Sequence, residues 1–130
     1  MECFSVRLLL DTHAVIWLFT ASNELSRDAR KAIEVYHPIV STMSLLEISM
    51  LISKKKIEID AGVDAFLDGV CGFCEVLPMN RGIAVLAMQI GLPHADPFDR
   101  VIVATAKYHD IPLLTKDKAI TASGVVKTIW

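Results

Sequence analysis

No apolar stretch in the sequence approaches the roughly 20 residues that a membrane-spanning helix needs, so no such span is expected. There are only three cysteines, an odd number, which does not suit a disulfide framework. Met1 to Asp11 lacks a basic n-region and ends its short apolar run in a carboxylate, a poor signal peptide. Together these features predict a reducing, cytoplasmic setting. Internal repeats, low-complexity segments and linkers are also missing, and 130 residues suit a single domain, 1–130, able to bury a core without staples. Nor is there a basic excess. The net charge of −2 speaks against binding nucleic acid through overall charge alone. Positive charge is local instead: Lys54, Lys55 and Lys56 form one run, and Arg81, Arg100, Lys107, Lys116 and Lys118 are scattered after it.

What the chain does have is apolar residues, 53% against 22% charged, a balance that excludes disorder. The excess predicts a covered surface in a dimer or complex. Cys71-Gly72-Phe73-Cys74 is spaced like a redox pair or half a zinc site. A zinc site needs two further ligands at Cys or His spacing, which the sequence does not offer. A redox pair belongs after a strand at a helix N-terminus, whereas this one falls between a helix end and the next strand. Two buried apolar cysteines are expected.

Val6–Leu10 reads as a strand covered on both faces, stopped by Asp11. His13–Thr20 is a short helix, and Leu25–Val35 a second with Ser26 as N-cap. Pro38–Ser41 is a strand, followed by a helix from Ser44 to about Lys54. A helix over Asp60–Cys71 leads to a strand over Cys74–Leu77. Asn80–Ile90 is helical and stops before Gly91 and Pro93. Asp96–His109 is the clearest helix, with Asp96 as cap and Pro97 at its first position. Pro112–Thr115 (strand), Lys116–Ser123 (helix) and Val125–Ile129 (strand) complete the chain. This alternation predicts an α/β, three-layer fold with a mainly parallel sheet flanked by helices. In such sheets ligands bind beyond the carboxyl ends of the strands, where the strand order reverses.

Acidic residues gather at that edge. Asp11 follows the first strand, Thr115 and Asp117 the fourth, Glu47 lies in the first turn of the helix after the second, and Asp96 and Asp99 open the longest helix. The run Val101–Ala106 after Asp99 is apolar on every side, which marks a buried helix. Carboxylates packed beside Asp99 take up protons unless a cation compensates them. Hard divalent cations prefer such oxygens, so the cluster reads as a metal site. Each acid also has a plainer reading. Glu47 completes a capping box with Ser44, Asp96 with Asp99 does the same, and Asp117 caps a short helix. The convergence of several carries the metal-site reading.

Four segments, Leu9-Leu10-Asp11-Thr12-His13, Ser41-Thr42-Met43-Ser44-Leu45-Leu46-Glu47-Ile48, His94-Ala95-Asp96-Pro97-Phe98-Asp99-Arg100 and Leu113-Leu114-Thr115-Lys116-Asp117, resemble the successive motifs of the PIN-domain family. The likeness is greatest to the VapC-type toxins of toxin–antitoxin pairs and spans nearly the whole chain. It implies about five parallel strands, Mg²⁺ or Mn²⁺ dependence and cleavage of single-stranded RNA. The family's four acids fall on Asp11, Glu47, Asp99 and Asp117. Asp11, Glu47 and Asp99 are the expected metal ligands, and Asp117 acts beside them or holds a second cation. Thr12, Arg100 and Thr115 are the expected substrate-contacting residues: the two threonines orient carboxylates or waters, or equally serve as plain turn hydroxyls, and Arg100 contacts phosphate or simply pairs with an acid. His13 and His94 offer imidazoles, although a metal-activated water needs no histidine.

A homodimer and an antitoxin helix in an apolar groove are the expected partners. Trp17 and Phe19 are candidate anchors for that helix or simply core residues. Two rival readings stay open at this point. One is a phosphotransfer protein, although His13 stands where an aspartyl phosphatase needs its second Asp. The other is a catalytically silent PIN-like binding module, against which the complete set of acids weighs.

Overall fold

The structure, a computed structural model, describes residues 6–130. The elements run β1 (Arg7–Leu10), α1 (Thr12–Phe19), α2 (Arg27–Val35), β2 (His37–Ser41), α3 (Thr42–Ser53), α4 (Val63–Phe73), β3 (Glu75–Leu77), α5 (Arg81–Gln89), α6 (Pro97–His109), β4 (Leu113–Leu114), α7 (Lys118–Ser123) and β5 (Thr128–Ile129). The five strands form one sheet in the order β3-β2-β1-β4-β5, and every pairing is parallel. The expected α/β architecture is therefore observed, with a sheet that is wholly rather than mainly parallel.

Strand periodicity divides the core in two. Leu8, Leu10, Val40 and Leu114 point to one face, where Val15, Ala29, Ile33 and Phe66 from α1, α2 and α4 cover them. Leu9, Ile39 and Leu113 point to the other, against Ile83, Val103 and Ile120 from α5, α6 and α7. Burial on both faces explains why β1 is a continuous apolar run: Leu8, Leu9 and Leu10 are all 0% exposed. On α6 every residue from Val101 to Ala106 is buried, as its all-round apolarity predicts. No described helix is long and apolar enough to cross a membrane.

Several boundaries differ from the sequence reading. Asp11 is the N-cap of α1, which begins at Thr12. The cap of α3 is Ser41, whose side chain accepts from the Met43 N–H at 3.0 Å, so Glu47 sits in the second turn and not the first. Ser44 is thereby free for a tertiary contact: its hydroxyl lies 2.9 Å from that of Thr12. The capping-box reading of Ser44 and Glu47 is thus overturned. Helix α4 starts at Val63 and runs on to Phe73, which places Cys71 inside it on an exposed face, while Cys74 is buried at its C-cap. Only one of the two cysteines is therefore the buried apolar residue expected. The remaining cysteine, Cys3, lies outside the described residues. At the end of α7, Gly124 adopts φ +67°, a conformation that costs glycine little, and β5 shortens to two residues beyond it.

Chain order positions the site. From β1 the chain steps outward through β2 to β3, then returns to the opposite side of β1 as β4 and continues to β5. The order reverses between β1 and β4, and a crevice opens there beyond the strands' carboxyl ends. Asp11 and Thr115 are the first residues past those two strands.

Candidate active site

Asp11 is fixed at both oxygens. Oδ1 accepts from the Thr12 N–H at 2.7 Å as the cap of α1, and Oδ2 accepts from the Thr115 hydroxyl at 2.7 Å. The Thr115 oxygen in turn accepts from the Asp117 N–H at 3.1 Å. Asp117 is likewise held: Oδ1 caps α7 by accepting from Ala119 N (2.8 Å) and Ile120 N (3.0 Å), and Oδ2 lies 2.8 Å from His94 Nε2. The chain β1–Asp11–Thr115–Asp117–α7 is a direct outcome of the parallel β1/β4 register.

Glu47 enters from α3. It is 7% exposed, and its Oε1 has no hydrogen-bond partner among the described residues. A native protein rarely leaves a buried carboxylate oxygen unpartnered, because the desolvation cost is then uncompensated. Asp99 enters from the first turn of α6, which packs against α3. Asp96, beside it, is the N-cap, accepting from the Phe98 N–H at 2.9 Å.

The charges of these groups are coupled. Burial raises the pKa of Asp11, against the opposing pull of its Thr115 and Thr12 hydrogen bonds. Burial also raises that of Glu47; the Thr12 hydroxyl draws it partly back, and the charges of Asp96 and Asp11 add to the rise. Asp99 is pushed up to about 6, by burial first and then by Asp96, Asp11 and Glu47. Burial works the same way on Asp117, but the hydrogen bonds from His94 and the α7 backbone outweigh it and hold the carboxyl below its ordinary range. Three acids from β1, α3 and α6 therefore resist ionising together, and a fourth stands ionised beside them. Among the described residues, no group of three His, Cys, Asp or Glu side chains is drawn close enough to hold a metal ion as it stands. The donor set, all carboxylate and with one orphaned oxygen, fits a hard divalent cation.

Thr12, Arg100 and Thr115, the residues expected to contact substrate, have their polar groups engaged within the protein. Thr12 and Thr115 are each 1% exposed and spend their hydroxyls on Ser44 and Asp11. They orient the site from behind. Among the described residues Arg100 makes no ion pair with the acids. Its guanidinium donates to four carbonyls, those of Ala87 (2.7 Å), Ile90 (2.7 Å), Leu92 (3.0 Å) and His94 (2.8 Å), stapling the end of α5 and the loop after it. That loop delivers His94 to Asp117. His94 is a residue whose link to Asp117 no sequence spacing reveals, since 23 positions separate the two.

The open side of the site is a cleft of about 700 Å³ lined by Asp11, His13, Ala14, Trp17, Asp99, Lys116, Asp117, Lys118 and Ala119. Lys54–Lys56 lie elsewhere, exposed at the C-terminal end of α3, seven or more residues past Glu47 and thus about 10 Å or more along the helix. Cys74 is inert, its thiol pushed up to about 12 by burial and then by the neighbouring Cys71.

Residues 8–123 match the PIN domain family. Ribonuclease VapC22 of Mycobacterium tuberculosis (strain ATCC 25618 / H37Rv) is 30% identical over 129 residues, an alignment covering 95% of this chain and 98% of that protein. Among solved structures, VapBC2 from Rickettsia felis, bound to a DNA fragment from its promoter, superposes with a TM-score of 0.72 at 14% identity, covering 95% of this chain and 97% of that one. VapC20 of Mycobacterium tuberculosis, a sarcin–ricin loop cleaving toxin, gives 0.67 at 15% identity over 95% and 99%. Sequence, sheet order and the acids at the β1/β4 crevice lead to one conclusion: the chain belongs to the PIN-domain family, among its VapC-type ribonucleases.

Proposed function

We propose that the protein hydrolyses phosphodiester bonds of single-stranded RNA with Mg²⁺ or Mn²⁺ held by Asp11, Glu47 and Asp99, and that Asp117 completes the site. The observation that carries this reading is the meeting of Asp11 and Asp99 at one cleft, coupled in charge to a buried Glu47 whose oxygen is unpartnered. Lewis acidity at the scissile phosphate and a lowered pKa for the attacking water are what a bound divalent cation supplies. The chain's own residues do the rest. Thr115 and the Thr12 N–H lock the Asp11 carboxylate in one orientation, so little reorganisation is left for substrate binding. Asp117, kept ionised by His94 and the α7 N–H groups, holds a constant negative charge beside them. Lys116 and Lys118 on the cleft rim offset the repulsion between this acidic site and a polyanion.

An endonuclease assay on single-stranded RNA tests the reading. Cleavage should need Mn²⁺ or Mg²⁺ and vanish in Asp11→Asn and Asp99→Asn. Full activity in excess EDTA would sink it. A silent binding module instead predicts no cleavage under any ion. The phosphotransfer alternative is set aside by the family match.

The relative's name and the neighbouring toxin–antitoxin complexes favour the toxin role in a type II toxin–antitoxin pair, with an antitoxin partner; a cytoplasmic setting remains our expectation from the sequence. A homodimer is the further expectation, supported by Leu46, Val85 and Met88, which stand more than half exposed. Sedimentation at micromolar concentration checks it, and a monomer there counts against it.

A further inference from the structure

Trp17 belongs to no part of the acid site, yet it lines the same cleft as Asp11, Asp99 and Asp117. It lies six residues beyond Asp11 along α1, a rise of about 9 Å. The indole is half-buried: it meets Trp130 in an edge-to-face pair at 5.7 Å between ring centres, and His13, one turn earlier, is tilted against it at 5.6 Å. Its face is occupied by the Lys116 ammonium, 5.6 Å from the ring centre, which also pairs with Glu24 at 2.6 Å. Both partners of that ion pair are half exposed, so solvent screens it and the lysine is held weakly. A ring face reached by a surface lysine is equally open to a planar base.

We propose that Trp17 is the stacking platform for a nucleobase next to the cleaved phosphate. On binding, the base displaces Lys116 from the indole, and the freed ammonium pairs with the adjoining phosphate. This rests on the ribonuclease reading and deepens it, because it specifies a substrate with an unstacked base. The face of a base inside a duplex is already covered by its neighbours, whereas a loop or single strand presents it. Stacking of this kind discriminates little between bases. Trp17 thus selects for strandedness, and sequence choice falls to other contacts.

Binding without metal separates this from catalysis. In EDTA at fixed salt, the wild-type protein should bind a short uridine oligomer roughly five- to a hundredfold tighter than an abasic ribose-phosphate oligomer of the same length. Trp17→Leu should erase that difference, and Trp17→Phe should keep most of it. Lys116→Met should weaken both oligomers alike and reduce the salt dependence of each. In Trp130→Phe, where Trp17 is the one remaining tryptophan, the uridine oligomer should quench the fluorescence and the abasic one should not. Equal affinity of the wild type for the two oligomers, or binding of neither, overturns the inference, and that comparison needs no variant to fold. A folded Trp17→Leu that retains the base preference overturns it as well. Mn²⁺-dependent cleavage persisting in either case leaves the ribonuclease reading standing, whereas absence of cleavage sinks that reading instead.

Discussion

Asp99 is the residue at which the site's electrostatics become measurable. Its carboxyl is pushed up to about 6 in the folded chain from an ordinary 3.8 when unfolded, so between these values the folded state binds more protons. Stability of the metal-free protein must then fall as pH rises from about 4 to 6, the direction opposite to an ordinary salt-bridged carboxylate. Thermal melts in EDTA across that range should show the fall in wild type and a flatter profile in Asp99→Asn. Asp11 and Glu47 contribute in the same direction and Asp117 in the other, so the difference between the two profiles reports Asp99 together with its charge coupling to Asp11 and Glu47. A cation at a hundred times its dissociation constant should stabilise wild type by about 2.7 kcal/mol and the variant by much less. Identical melts with and without Mn²⁺ in both proteins would leave Asp99 with no part in a metal site. The cysteines give a second check at this scale. Iodoacetamide should label Cys71 readily and Cys74 only on unfolding, and Cys71→Ser should leave cleavage intact; mass spectrometry of the labelled peptides reads the ratio.

Element by element, the sequence is legible where a local signal and the tertiary structure agree, and misleading where they compete. Asp96-Pro97 announces α6 because cap and first-turn proline act within three residues. The serines at 41 and 44 offer α3 two equivalent starts, and only the contact between Ser44 and Thr12, 32 positions apart, decides for Ser41. Asp11 and Asp117 are legible beside strand ends that follow from alternation, whereas Glu47 and Asp99 are placed by helices α3 and α6. The role of Arg100 is not legible. A guanidinium satisfied by four carbonyls leaves no mark on composition or spacing.

Removing that staple should be costly. Arg100→Leu leaves the carbonyls at the end of α5 without their donors and should lower stability by about 3 kcal/mol, given 1.5–3 kcal/mol for each hydrogen bond to a charged group and partial replacement by water. The shift in urea midpoint measures this, and a loss under about 1 kcal/mol would mean the loop holds itself. Placement of the lysines yields another test. Charge reversal at Lys54–Lys56, on the far end of α3, should leave the salt slope of RNA binding unchanged. Loss of Lys116 and Lys118 from the cleft should reduce it by about 0.7 for each phosphate contact given up.

At the scale of the molecule, the order β3-β2-β1-β4-β5 joins the first strand to the penultimate one. Alternating strands and helices predict a parallel sheet, but no local pattern says which strand pairs with which, since that choice is made by packing of both faces at once. The apolar abundance is mostly accounted for inside, in the two clusters on either side of the sheet, with residues such as Val85 and Met88 left outside.

The hydrogen bond from Thr115 to Asp11 spans 104 positions. During synthesis Asp11 precedes by 104 positions the partner that orients it, and Asp117 emerges later still. Until then β1 has an open edge where β4 will pair, and the nuclease has its first acid without its frame. Prematurely terminated products lacking residues from 113 onward should therefore be both unstable and unable to cut RNA.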